Sequence, residues 1–262
     1  MDLTRPPLDK CPFIETAQVL VGKKNARAGV CWPICKRESF DGEKFPDVLM
    51  LNCGWRNEKF DLGSWKLERP ITPGWEQWSL APPGGSLEPG EEILVGAARE
   101  TLEESGFMRV LKDGIDPSKA TWFARKRDGS MTQVFDDKEL YTAVSVIVPI
   151  DQDPIHLALA CRASARNVYD SGRADQILAI ETVGWFCADI KYLAELLTNG
   201  ILPVFELRAS AFLRPFGHHA LDQRQEFPDI KTETVSVPLY PRSANSILFM
   251  LQKGGFFYLG SK

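Results

Sequence analysis

One run of residues constrains this chain more than any other. From Gly84 to Phe107 it reads GGSLEPGEEILVGAARETLEESGF. It starts as a glycine-rich loop, turns into a helix and stops on a glycine. Glu91 is expected to open the helix, where a carboxylate suits the partial positive charge of the N-terminus. Gly106 suits the left-handed cap at the other end. Glu100, Glu103 and Glu104 fall at i, i+3 and i+4, which places them on one helix face. Leu94, Val95, Ala98, Thr101 and Leu102 fall on the opposite face, predicted to pack on a core. Arg99 is adjacent in sequence to the carboxylates and is expected to point to another side. The three like charges then repel, so neutralising Glu104 is predicted to leave the metal-free chain as stable as before or slightly more so. A hard divalent cation with oxygen ligands would hold such a cluster and bridge phosphate oxygens. Taken alone, E-x-x-E-E also describes a solvated acidic surface.

Written as a pattern, the stretch is G-x5-E-x7-R-E-T-x-E-E-x-G-F. It resembles the Nudix box, G-x5-E-x7-R-E-U-x-E-E-x-G-U, where U is a bulky aliphatic residue. Gly85, Glu91, Arg99, Glu100, Glu103, Glu104 and Gly106 fall on the fixed positions. Thr101 and Phe107 depart, both at packing positions. Many fixed residues at fixed spacings make a far more specific signal than a lone glycine motif.

The resemblance implies an α/β fold: an α/β/α sandwich around a mixed sheet. It implies hydrolysis, dependent on Mg2+ or Mn2+, of a phosphoanhydride in a nucleoside diphosphate linked to another moiety. That moiety can be a nucleotide, a dinucleotide partner or an RNA 5′ end. By the same resemblance Glu100, Glu103 and Glu104 ligate the metal, one of them able to act as base, with the Gly85 carbonyl as a further ligand. Glu91 and Arg99 are expected to form a salt bridge at the loop–helix junction. A carboxylate from outside the box completes such sites. Glu181 is the first candidate here, then Asp175, then Glu139.

The remaining sequence is read around this core. Residues 1–25 form an N-terminal arm, residues 26–200 the Nudix domain, and residues 201–262 a C-terminal extension packed on it. Strands are predicted over Ala28–Arg37, Asp47–Asn52, Glu76–Leu80, Thr121–Ala124, Leu140–Ile150 and Ile177–Phe186. A helix is predicted over Ala188–Asn199, with Gly200 as its cap. Residues 53–80 read as an insertion carrying Trp55, Trp65, Trp75 and Trp78 among basic residues. Such aromatics either pack the insertion onto the core or stack on a base. Arg56, Trp78 and Arg125 are the candidate substrate-binding residues. In the extension, Ser246–Leu251 and Phe256–Leu259 alternate around Gln252-Lys253-Gly254-Gly255, which predicts a β-hairpin.

A chain of 262 residues, 44% of them hydrophobic, can bury a sizeable core. The formal net charge of −4 writes no nucleic-acid affinity into the overall balance, so a local basic patch would have to supply it. The six cysteines include no C-x-x-C pair, and with three histidines they complete no zinc pattern. Thiols in a reducing intracellular compartment are expected: the cytoplasm, or the mitochondrion if a presequence has been removed. No apolar run reaches membrane-spanning length. Two function classes follow. One is a catalytic pyrophosphohydrolase, with a protein partner possible through the C-terminal extension. The other is a non-catalytic nucleotide- or RNA-binding subunit of a larger complex.

Overall fold

A computed structural model describes residues 26–35, 48–56, 59–68, 77–105, 121–136, 138–150, most of 152–163, 182–208 and 234–253. In chain order the elements are β1 (Ala28–Cys35), β2 (Val48–Arg56), β3 (Lys59–Phe60), β4 (Leu67–Glu68), β5 (Gln77–Ala81) and β6 (Gly84–Ser86). Helix α1 (Ile93–Ser105) follows, then β7 (Thr121–Arg125), β8 (Met131–Thr132), β9 (Ala143–Ile150) and β10 (Thr182–Asp189). The chain continues with α2 (Ile190–Thr198), β11 (Val204–Arg208), β12 (Thr234–Pro238) and α3 (Pro241–Gln252).

Eight strands form one mixed sheet. Its main path runs β10-β2-β1-β9-β7-β8, with β5 added to β2 and β6 added to β1. β1 and β9 run parallel, from Gly29 opposite Val144 to Cys35 opposite Ile150, and the other pairings are antiparallel. Both faces of the centre are covered, as a near-continuous apolar strand such as β9 demands. Side chains alternate between the faces. Trp32, Ile34, Leu49, Leu51, Phe123 and Ile147 pack on one side with Leu193 and Leu197 of α2 and Ala244, Ile247 and Met250 of α3. Cys31, Trp122, Ala124, Val144 and Val146 point the other way and meet Ile93 and Ala97 of α1. The result is the expected three-layer α/β arrangement.

Several sequence expectations need correction. α1 begins at Ile93, so Glu91 lies in the loop before the helix rather than at its opening. The core-facing stripe of α1 is Ile93, Ala97, Thr101 and Glu104, while Val95 is 56% and Leu102 is 37% exposed. The reason is the close seat of the helix on β1. A Cβ on Gly29 would meet the Ala97 nitrogen at 3.0 Å and the Ile93 carbonyl at 3.1 Å. The small Ala97 faces β1 at that point and sets the helix rotation, even at the cost of exposing larger apolar residues.

The predicted C-terminal hairpin is also wrong where the structure describes it, because Ser246–Leu251 lies within helix α3. Pro241 occupies the first turn, where its fixed φ suits a helix. Ala244, Ile247 and Met250 are buried three residues apart, a helical spacing that the alternating reading overlooked. The proposed second arm, Phe256–Leu259, lies outside the described residues. α2 follows expectation more closely. The Asp189 side chain accepts a hydrogen bond from the Tyr192 amide at 3.0 Å, and Gly200 takes φ 75° just past the helix.

The tryptophan-rich segment contributes strand to the sheet. β2 continues to Arg56 and pairs with β5, with Trp55 opposite Trp78. Between them β3 and β4 make a short hairpin. Trp65 and Trp78 are partly buried and pack against the core cluster on the α2–α3 face. Among the described residues no helix is long and apolar enough to cross a membrane. No disulfide joins the described cysteines, Cys31, Cys35, Cys53, Cys161 and Cys187. Burial pushes the Cys31 and Cys161 thiols up to about 12.

Candidate active site

The glycine-rich loop is held by backbone pairing before it becomes a site. In β6, Gly84 lies opposite Val30, Gly85 opposite Gly29 and Ser86 opposite Ala28. Gly84 has φ 156°, and a Cβ there would lie 2.7 Å from the Val30 Cα, so only glycine fits. At Gly85 the obstacle is different. A Cβ would overlap the Glu100 carboxylate, which lies directly over this residue.

Arg99 is the hub of the loop–helix junction, contrary to the expectation that it points elsewhere. Its Nε donates to Glu91 Oε1 at 2.8 Å and its Nη2 to Glu91 Oε2 at 3.0 Å, a two-pronged pair. Nη1 donates to Glu100 Oε1 at 3.0 Å and to Glu103 Oε2 at 2.9 Å. Nη2 also donates to the Ser86 carbonyl at 3.0 Å. A side chain long enough to fold back along its own helix thus reaches i+1 and i+4 as well as the preceding loop. Glu91 in turn accepts the Glu88 amide at 2.9 Å. Hydrogen bonding from Arg99 holds the Glu91 carboxyl below the usual range, and the same bond raises the guanidinium pKa further. The expected Glu91–Arg99 salt bridge is present.

Glu104 stands apart from that hub. It is buried, 8% exposed, and its Oε2 accepts from the Asn52 side-chain amide at 2.9 Å and from the Gly84 backbone amide at 3.0 Å. It therefore ties the helix to β2 and to the loop. Asn52 was not singled out in the sequence. Its only signal was a polar residue interrupting the apolar run of β2.

The donor set suits a hard divalent cation, since it consists of carboxylates and a backbone carbonyl. Glu91, Glu100 and Glu103 share one guanidinium, and Glu104 lies within the same helical turns. That leaves a surplus of negative charge over a loop with no side chains. Among the described residues no three histidine, cysteine, aspartate or glutamate side chains already converge as a metal cluster. One nitrogen of Arg99 touches both Glu100 and Glu103.

The candidates outside the box divide. Glu181 and Asp175 lie outside the described residues. Glu139 pairs with Lys126 at 2.8 Å. Arg56 ends β2, opposite Gln77, and its side chain lies outside the described part. Trp78 packs on the core. Arg125 is half-buried and donates from Nη2 to the Arg242 carbonyl at 2.8 Å and to Ser246 Oγ at 2.9 Å, which joins β7 to α3. Residues 63–157 match the family model of the NUDIX domain. β1, β2, β10, α2 and α3 lie outside that span. No curated protein matches the chain.

Proposed function

We propose, from the Nudix domain that this chain carries, that the protein is a pyrophosphohydrolase acting on a nucleoside diphosphate linked to another moiety. The linked moiety is a nucleotide, a second nucleoside or an RNA 5′ end. The observation that carries this reading is that Glu104 accepts the Gly84 amide and Glu100 lies over Gly85, with Arg99 joining Glu91, Glu100 and Glu103 beside them.

Cleaving a phosphoanhydride needs charge on the phosphates offset, a water activated and a leaving phosphate stabilised. Glu100 and Glu103, with the Gly85 carbonyl and Glu104, are the residues that would hold Mg2+ or Mn2+. Such an ion, when bound, offsets phosphate charge and acidifies water. The chain itself supplies the rest. Gly84 and Gly85 let phosphates approach the backbone without steric conflict. Glu100 or Glu103 accepts the proton of the attacking water. Arg99 holds the Glu91 loop against the helix so that these carboxylates keep their places. Glu104 fixes Gly84 through its amide. Glu181 is the candidate for an additional carboxylate.

One observation favours the alternative of a non-catalytic binding subunit: Arg99 already contacts both Glu100 and Glu103. The same assay separates the two. Phosphate and pyrophosphate release is measured from nucleotides, dinucleotides and triphosphorylated RNA with Mg2+. Catalysis predicts turnover of at least one of these that is abolished by Glu103→Gln. Retained nucleotide binding with no turnover across the panel supports the binding subunit instead.

A further inference from the structure

We propose that Asn52 is a positioning residue for the carboxylate cluster: by fixing the Glu104 side chain it sets the affinity of the chain for a divalent cation. The inference rests on the hydrolase reading above. It adds to that reading a neutral residue of β2, outside the matched span of residues 63–157.

Asn52 is 1% exposed. Its neighbours in the strand, Leu51 and Cys53, belong to the cluster on the α2–α3 side of the sheet. Strand alternation therefore sends Asn52 to the α1 side. The other described residues of that row, Val48 and Met50, are buried and apolar. An apolar residue would pack at position 52 as well. An amide buried in such a row costs free energy unless it finds a partner. Here the Asn52 Nδ2 donates to the Glu104 carboxylate at 2.9 Å.

The backbone behind that amide is held from both sides. Asn52 lies opposite Ala81 of β5 and opposite Trp185 of β10. A side chain that starts from the middle of three paired strands is aimed more narrowly than one on a loop. Shortly after Ala81 the chain reaches Gly84, whose amide donates to the same Glu104 oxygen at 3.0 Å. Strand, loop and helix thus close a ring through one carboxylate. Two donors on Oε2 stop that carboxylate from turning, so β2 and the loop fix the direction of its other oxygen.

The donors differ in kind from the one at the neighbouring carboxylates. Arg99 holds Glu100 and Glu103 with a positive charge, against which a cation has to compete. The Asn52 side chain and the Gly84 amide are neutral, so they orient Glu104 and add no competing charge. Hydrogen-bonding partners placed behind a metal ligand in this way typically account for about 10–100-fold in metal affinity.

The test is a mutant cycle read by Mn2+ binding to the full chain, followed by the electron paramagnetic resonance of the free ion with no nucleotide present. Asn52→Ala should weaken Mn2+ binding by about 10–100-fold. In a Glu104→Gln background the same substitution should change affinity by less than about twofold, because the carboxylate through which it acts is gone. Melting curves in chelator establish that each variant is folded. Wild type supplies a measurement that needs no variant: the side-chain amide resonance of Asn52 should shift as Mg2+ is added, with the midpoint of Mg2+ binding. With a turned-over substrate, Asn52→Ala should raise the Mn2+ concentration for half-maximal rate by the same factor as it weakens binding. Wild-type Mn2+ affinity in folded Asn52→Ala, an equal loss in both backgrounds, or an Asn52 resonance indifferent to Mg2+ overturns the proposal. Absence of turnover in wild type, with the cycle and the resonance behaving as expected, sinks the hydrolase reading and leaves the positioning role standing.

Discussion

Glu104 and Asn52 are joined between α1 and β2, with the asparagine amide 2.9 Å from the carboxylate and both residues buried. The same oxygen takes the Gly84 amide. Charge crowding alone predicted that neutralising Glu104 would relieve a repulsion. These two bonds reverse the sign. Glu104→Ala leaves one buried and one part-buried donor without their acceptor and should cost about 2–4 kcal/mol in chelator. Glu104→Gln keeps a carbonyl oxygen that can take the place of Oε2 and accept both bonds, so its loss should be smaller, about 1 kcal/mol for the weaker neutral acceptor. Both should lower turnover, by about 10²–10⁴-fold. Chemical denaturation in chelator and initial rates with saturating Mg2+ check this. Stability equal to wild type in Glu104→Ala would contradict the tie.

The Glu91–Arg99 pair carries a pH signature. Hydrogen bonds from Arg99 depress the Glu91 carboxyl below its ordinary value of 4.5. A depressed folded-state value means stability that is full above the unfolded value and lost as pH falls through the folded one. Wild type should therefore exceed Glu91→Gln in stability by about 2 kcal/mol at neutral pH. The gap should stay level down to about pH 5 and narrow below it. Denaturation midpoints across pH 3–8 in chelator would reveal it, and a gap that widens on acidification contradicts the assignment.

Gly85→Ala separates backbone fit from site fit. Gly85 is not among the glycines with positive φ, so alanine suits its conformation. The added methyl instead displaces the Glu100 carboxylate. Turnover should fall about 10²-fold, as expected for a displacement on the order of 1 Å at a reacting group. The melting temperature should move little. A variant with normal turnover would remove Glu100 from the site.

Metal should act on stability as well as on rate. Carboxylates in surplus over the Arg99 guanidinium favour a bound cation in the folded chain, so Mg2+ or Mn2+ should raise the melting temperature. Glu103→Gln should blunt that rise and chelator should abolish turnover. Activity unchanged after thorough chelation would contradict the metal reading.

The box was legible because its spacing encodes geometry. The Glu91–Arg99 salt bridge is the one the resemblance implied, and Glu100 lies between Arg99 and Gly85. The mixed sheet and its two helical layers were legible from apolar runs such as Ala143–Ile150. What escaped was set by packing. The rotation of α1 follows from Gly29 meeting Ala97, a contact between residues far apart in sequence. Arg99 was misjudged because position along a helix fixes where a side chain starts, not where a long flexible one ends. α3 was misread because a short apolar–polar alternation fits both periods, and its true face is defined by distant partners, the sheet residues Trp32 and Phe123 and Leu193 and Leu197 of α2. Asn52 carries no local motif, and its importance appears only once Glu104 is folded over it.

The parallel pairing of β1 with β9 also governs the order in which this molecule can be made. β1 ends at Cys35 and its parallel neighbour does not begin until Ala143. At ribosomal rates the interval is roughly 5–20 s. Trp32, one of the largest side chains of the finished interior, must wait longer still for Ala244 and Ile247. The nascent chain therefore spends most of its synthesis with its central strand half-covered, and a chaperone or its own early hairpin must shield it. Release of a chain stopped before α3 should yield an aggregating species rather than a smaller working domain.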